Sequence, residues 1–94
     1  MPISPAARIR VSPDILISEV GGESVLLNLK NERYFGLDDI GTRMWKVLIA
    51  SDSIQAAYET LLAEYDVEAN RLQQDLDELI QKLLEQGLVE VGSE

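Results

Sequence analysis

The spacing of apolar residues along this chain changes once, from every second position to every third or fourth. Ile15-Leu16-Ile17-Ser18-Glu19-Val20 is rich in β-branched residues and reads as a strand. Gly21-Gly22 supplies the positive φ angles of a tight hairpin turn. Ser24 to Leu29 returns, with Val25, Leu27 and Leu29 on one face. Lys30-Asn31-Glu32 makes a second turn, and Arg33 to Leu37 is a third strand. The pattern predicts a three-stranded antiparallel meander over about 15–37. Before it, Arg8-Ile9-Arg10-Val11 alternates until Pro13, as a short edge strand or a lead-in.

From Asp38 the helical period takes over. Asp38 or Asp39 caps a first helix over about 39–50, whose stripe is Ile40, Met44, Val47 and Leu48, flanked by Trp45. Asp52-Ser53-Ile54-Gln55 has the form of a capping box for a second helix over about 53–65. Its stripe is Ile54, Ala57, Tyr58, Leu61, Leu62 and Tyr65. A third helix over about 68–86 carries Leu72, Leu76, Leu79, Ile80, Leu83 and Leu84 and is about 28 Å long. Gly87 stops it, Leu88 provides the contact just beyond, and Leu88 to Val91 has room for a brief strand. The expected fold is α+β, a small sheet followed by a three-helix bundle, in one domain over 1–94.

Composition narrows the function. The chain has no cysteine, hence no disulfide, zinc finger or thiol nucleophile, and no histidine, the commonest general base and metal ligand. No nucleophile–base pair can be assembled from what is left, so an enzyme is disfavoured, and no cofactor is indicated. Asp38-Asp39 does not have calcium-loop spacing, and capping accounts for it, so no metal is expected. There is no signal peptide or membrane-spanning run, which points to the cytoplasm and away from a membrane partner.

The net charge of −9 is lopsided. Six acids balance six bases through Ser51, whereas eleven acids face two bases, Arg71 and Lys82, from Asp52 onward. Such a surface repels phosphate backbones, which disfavours nucleic acid and suits a neutral or basic peptide.

The segments VLLNLKNERYFGLDDIGTRMW and IQAAYETLLAEYDVEANRLQQDLDELIQKLLEQGLVEV resemble the PqqD-like family from Ile15 to Val91. The matching hallmarks are Tyr34-Phe35-Gly36-Leu37, Asp39, Gly41, Trp45, Tyr65-Asp66-Val67, Asp75 and Gly87-Leu88-Val89. The wording of YFGLDDIGTRMW is most like the stand-alone members that serve lasso-peptide biosynthesis. The resemblance implies a winged-helix-like recognition element for ribosomally made, post-translationally modified peptides. Such an element has no catalysis of its own. It binds the leader of a precursor peptide as an added antiparallel strand on the third strand, side chains entering a groove beside the third helix. It then presents the leader to a separate leader protease or other modifying enzyme.

The candidate peptide-binding residues are therefore Arg33, Tyr34, Phe35, Gly36 and Leu37 on the strand, with Arg71, Leu72, Asp75, Leu76, Leu79 and Lys82 on the helix. Tyr34 and Phe35 face opposite sides, one toward the core and the other free to line the groove. Trp45 is read as core. Gly36 either admits a peptide backbone or marks a bulge. Most of the leucine stripe must be core, and Lys82 also fits a solvated helix charge. An open strand edge leaves room for pairing with a second copy. The competing readings are a carrier in the pyrroloquinoline quinone pathway and a winged-helix DNA-binding regulator. The second lacks a basic recognition helix.

Overall fold

The structure is a computed structural model and describes residues 4–92. It is α+β, with strands β1 (Arg8–Val11), β2 (Ile15–Val20), β3 (Glu23–Asn28), β4 (Arg33–Leu37) and β5 (Val89–Gly92). The helices α1 (Asp39–Ala50), α2 (Ile54–Glu64) and α3 (Ala69–Glu85) lie between β4 and β5. β2-β3-β4 forms the expected antiparallel meander. β1 is no mere lead-in: it pairs antiparallel with β5 in a separate two-stranded sheet. Among the described residues, no helix is long and apolar enough to cross a membrane.

The face of β3 that packs on the helices is not the more apolar one. Ser24, Leu26 and Asn28 are buried, whereas Val25 and Leu29 are exposed on the outside. The buried polar side chains are satisfied, as burial requires. Ser24 Oγ and Thr42 Oγ1 of α1 are 2.7 Å apart, and Thr42 Oγ1 also donates to Leu37 O at 3.4 Å. Asn28 Nδ2 donates to Gly87 O at 3.3 Å, and its Oδ1 accepts from Lys30 N at 2.9 Å. Thr42 thus fixes the start of β3 and the end of β4 to α1, and one amide fixes the start of the β3–β4 hairpin to the end of α3.

Helix ends follow local chemistry. Asp38 is the N-cap of α1, its Oδ1 accepting from Gly41 N at 2.7 Å. A Cβ on Gly41 would stand 3.2 Å from both Asp38 Oδ1 and Leu37 Cδ2, so the glycine lets β4 turn into α1 across a single residue. The cap of α2 is Ser53 and not Asp52: Ser53 Oγ accepts from Ala56 N at 3.0 Å, while Asp52 pairs with Arg8 at 3.8 Å. The first amides of α2 donate to carbonyls of the chain before β1, Ile54 N to Ala7 O and Gln55 N to Pro5 O. At the end of α3, Gly87 N (φ 70) donates to Leu84 O and Leu88 N to Leu83 O, the paired hydrogen bonds of a Schellman motif.

The core gathers Ile9 of β1, Leu26 and Leu37 of the sheet, and the stripes of the three helices, closed by Leu88 and Val89. Trp45 belongs to it, as expected. Each fully buried leucine contributes about 1.5–3 kcal/mol. Ile40 does not join the stripe of α1 inward; it is 52% exposed.

Candidate functional site

The pairing phase of the meander decides which backbone groups of β4 are free. Leu29 N donates to Asp14 O at 2.9 Å, in register with Leu16↔Leu27 and Ser18↔Val25 two and four steps on. In an antiparallel ladder, hydrogen-bonded pairs alternate with non-bonded ones. The odd-numbered residues of β3 therefore bond to β2, and its even-numbered residues bond to β4. Phe35, opposite Leu26, and Leu37, opposite Ser24, are bonded to β3. Tyr34 and Gly36 point their N–H and C=O groups away from the sheet. Those four groups are the open edge.

Beside that edge is a groove of about 340 Å³. Its near wall is Phe35, Gly36, Leu37 and the start of α1, including Ile40 and Met44. Asp75, Glu78, Leu79 and Lys82 of α3 form the far wall. Phe35 faces inward and packs against the core, so the inner side of β4 offers aromatic and aliphatic surface to an incoming strand. Tyr34 faces the opposite side and is 75% exposed. Gly36 keeps the β3–β4 register, pairing with Val25, so it marks no bulge. A Cβ there would meet nothing within 4 Å, so this chain's own packing does not require a glycine.

The expected residues divide. Phe35, Gly36, Leu37, Asp75, Leu79 and Lys82 come together around the groove, whereas Tyr34 gives only its backbone to the open strand edge. Arg33 is on the inner face at the first residue of β4, opposite Asn28. Leu72 and Leu76 are only 3% and 0% exposed and belong to the core, beneath the groove and not on its walls. Burying the central leucines of the stripe left only its margin, Leu79, for a ligand. Arg71 stands outside, its Nε 3.3 Å from Asp75 Oδ1. Ile40, Met44 and Glu78, none of them among the candidate peptide-binding residues, also line the groove. Glu78, three residues after Asp75 and four before Lys82, was legible from helical spacing alone.

The polar rim holds Asp38, whose carboxylate serves as a cap, Asp75, paired with Arg71, and two groups without an ionic partner among the described residues, Glu78 and Lys82. Away from the groove, Arg43 Nε donates to Glu64 Oε1 at 2.9 Å, and this hydrogen bond, more than charge, holds the Glu64 carboxyl below its usual pKa and raises that of Arg43. No group of three or more acidic side chains is placed to hold a metal ion among the described residues.

The outer face of the sheet is also open. Leu16, Leu27 and Tyr34 form a cross-strand row, with Val25 in the next row and a shallow opening of about 370 Å³ beside Gly36. Exposed apolar patches of a few hundred Å² are the class that marks interaction sites.

Comparison with known proteins adds to this geometry. The family described as coenzyme PQQ synthesis protein D (PqqD) matches residues 23–89. No curated protein matches the chain in sequence. Its fold is similar to a solved structure of TbiB1 in complex with the TbiA(beta) leader peptide, at 30% identity and a TM-score of 0.79, covering 86% of this chain and 94% of that one. It is likewise similar to a lasso peptide synthetase B1 complexed with the leader peptide, at 26% identity and a TM-score of 0.79, covering 89% and 99%.

Proposed function

The chain belongs to the PqqD family, and from that premise we propose that it is a cytoplasmic, non-catalytic adaptor of lasso-peptide biosynthesis. It binds the leader segment of a ribosomally made precursor peptide along β4 and presents it to a separate processing enzyme, a leader protease in the first instance. The observation that carries this reading is the coincidence of the free groups of Tyr34 and Gly36 with the groove facing α3. An extended peptide would extend the ladder through its backbone and place alternate side chains in the groove. Both similar solved structures hold a leader peptide.

Presentation requires a second surface. The apolar outer face of the meander is continuous with the β4 edge, and a leader strand would enlarge it, so a processing enzyme docked there would contact adaptor and leader together. A second copy pairing along the same edge would compete with the leader. The family description favours one other reading, a peptide carrier in coenzyme PQQ synthesis; the likeness to a lasso peptide synthetase B1 favours the first.

The test is a calorimetric titration with the leader peptide encoded beside this gene. Binding at micromolar affinity or tighter, lost in Gly36→Pro, is the expected result. Indifference to every neighbouring leader, together with tight binding to duplex DNA, would sink the proposal.

A further inference from the structure

Building on that reading, we infer that the groove is electrically polar along its length and that this polarity selects the direction and register of the bound strand. The bond from Asn28 Nδ2 to Gly87 O sets the C-terminal end of α3 against the β3–β4 hairpin, where Arg33 stands opposite Asn28. Lys82 is therefore on the Arg33 side of the groove. Asp75 and Glu78, further back along α3, face the other end of β4, where α1 begins. The groove thus carries Lys82 toward its Arg33 end, with Arg33 just beyond the lining, and Asp75 and Glu78 toward the other.

Two simpler accounts of these charges fall short. Lys82, in the last turn of α3, suits the helix dipole. Yet Glu78 is four residues before it, the spacing that normally closes an ion pair, and the two remain apart. Asp75 is partly compensated by Arg71 and Arg33 is adjacent to Glu32 in sequence, which weakens but does not reverse the gradient.

A strand antiparallel to β4 enters at the Leu37 end and leaves at the Arg33 end. Its basic side chain then meets Asp75 and Glu78, and its acidic side chain, later in sequence, meets Lys82 and Arg33. Seven residues of helix separate Asp75 from Lys82, roughly 10 Å, which three to four strand residues span. Groove-facing side chains recur every second residue, so the preferred ligand has Lys or Arg at one position and Asp or Glu four later. An apolar residue between them would lie over Phe35 and Leu79. A strand added in the reverse direction would set like charges against each other.

Calorimetry of the wild-type protein and of the doubly reversed E78K/K82E variant with the neighbouring leader peptide tests this, at about 50 mM and about 500 mM salt. Both side chains are exposed, so the variant keeps its fold, checked by circular dichroism. The expected loss is roughly tenfold in affinity at low salt, shrinking at high salt. It is recovered with a peptide whose basic and acidic groove residues are transposed. A nitroxide on the peptide N-terminus should broaden the amides of Ile40 and Gly41. Equal affinities of wild type and variant, or broadening at Arg33 and Tyr34 instead, would overturn the polarity while leaving leader binding intact. Absence of binding to the wild type would overturn the adaptor reading with it.

Discussion

β2 and β4 are both edge strands of one meander, and both leave alternate backbone groups unpaired: Ile15, Ile17 and Glu19 on β2, Tyr34 and Gly36 on β4. They differ in what stands beside them. Next to β4 the start of α1 and one margin of α3 enclose a groove with an apolar floor. On the inner side of β2, Ile17 is 45% exposed and Glu19 is tied to Lys46 of α1 at 2.8 Å. An unpaired edge supplies affinity without selectivity, and selectivity comes from side-chain pockets. The contrast teaches that a binding strand is made by its neighbours.

The strongest challenge to this contrast is a proline on each edge. Gly36→Pro removes an outward donor and obstructs the added strand, and leader affinity should fall on the order of a hundredfold, about 3 kcal/mol. Ile17→Pro does the same to β2 and should leave affinity within about twofold; equal losses in the two calorimetric titrations would erase the distinction. Next in size, Leu79→Asp puts a charge in the groove wall and should weaken the leader by about tenfold, with a lower melting temperature because Leu79 also packs against the core. Thr42→Val leaves Ser24 without its partner where β4 meets α1; urea unfolding should register a loss of about 1–2 kcal/mol.

Smaller still is Gly36→Ala, for which the fold has space. Its stability should stay within about 0.5 kcal/mol of wild type. The slightest effect belongs to the Arg43–Glu64 pair, remote from both edges. Because the Glu64 pKa is depressed on folding, its contribution is present above the ordinary glutamate pKa and is lost as pH falls through the depressed value. The difference in melting temperature between wild type and Glu64→Gln should therefore vanish in acid, and leader affinity at pH 7 should not respond to the substitution.

Much of this was legible in the sequence. The change of apolar period marked the meander and three helices, and Gly87-Leu88 marked the end of α3, because each depends on contacts within a few residues. Two features that depend on distant segments were not. The pairing of β1 with β5 joins the two ends of the described chain, and nothing local in Arg8–Val11 announces its partner. The inner face of β3 was also misleading, since Val25, Leu27 and Leu29 advertise a core that Ser24, Leu26 and Asn28 occupy. In the site, alternation set Tyr34 and Phe35 on opposite faces, but Phe35 both packs on the core and lines the groove, while Tyr34 faces the other side of the sheet. Leu72 and Leu76 were not separable from Leu79, since a stripe does not reveal which margin a neighbour leaves uncovered.

The β1–β5 ladder also bears on the order in which the molecule assembles. Arg8 lies opposite Gly92, so this ladder closes a loop of nearly the whole chain, and closure entropy rises with loop length. The meander and the helix pairs have contacts close in sequence and can form first. Ile9 and Val89 can seal the core only after the last strand is available. On the ribosome, the meander and its open β4 edge would take shape first, the groove only once α3 has emerged, and the final closure would wait until Val89–Gly92 has cleared the exit tunnel.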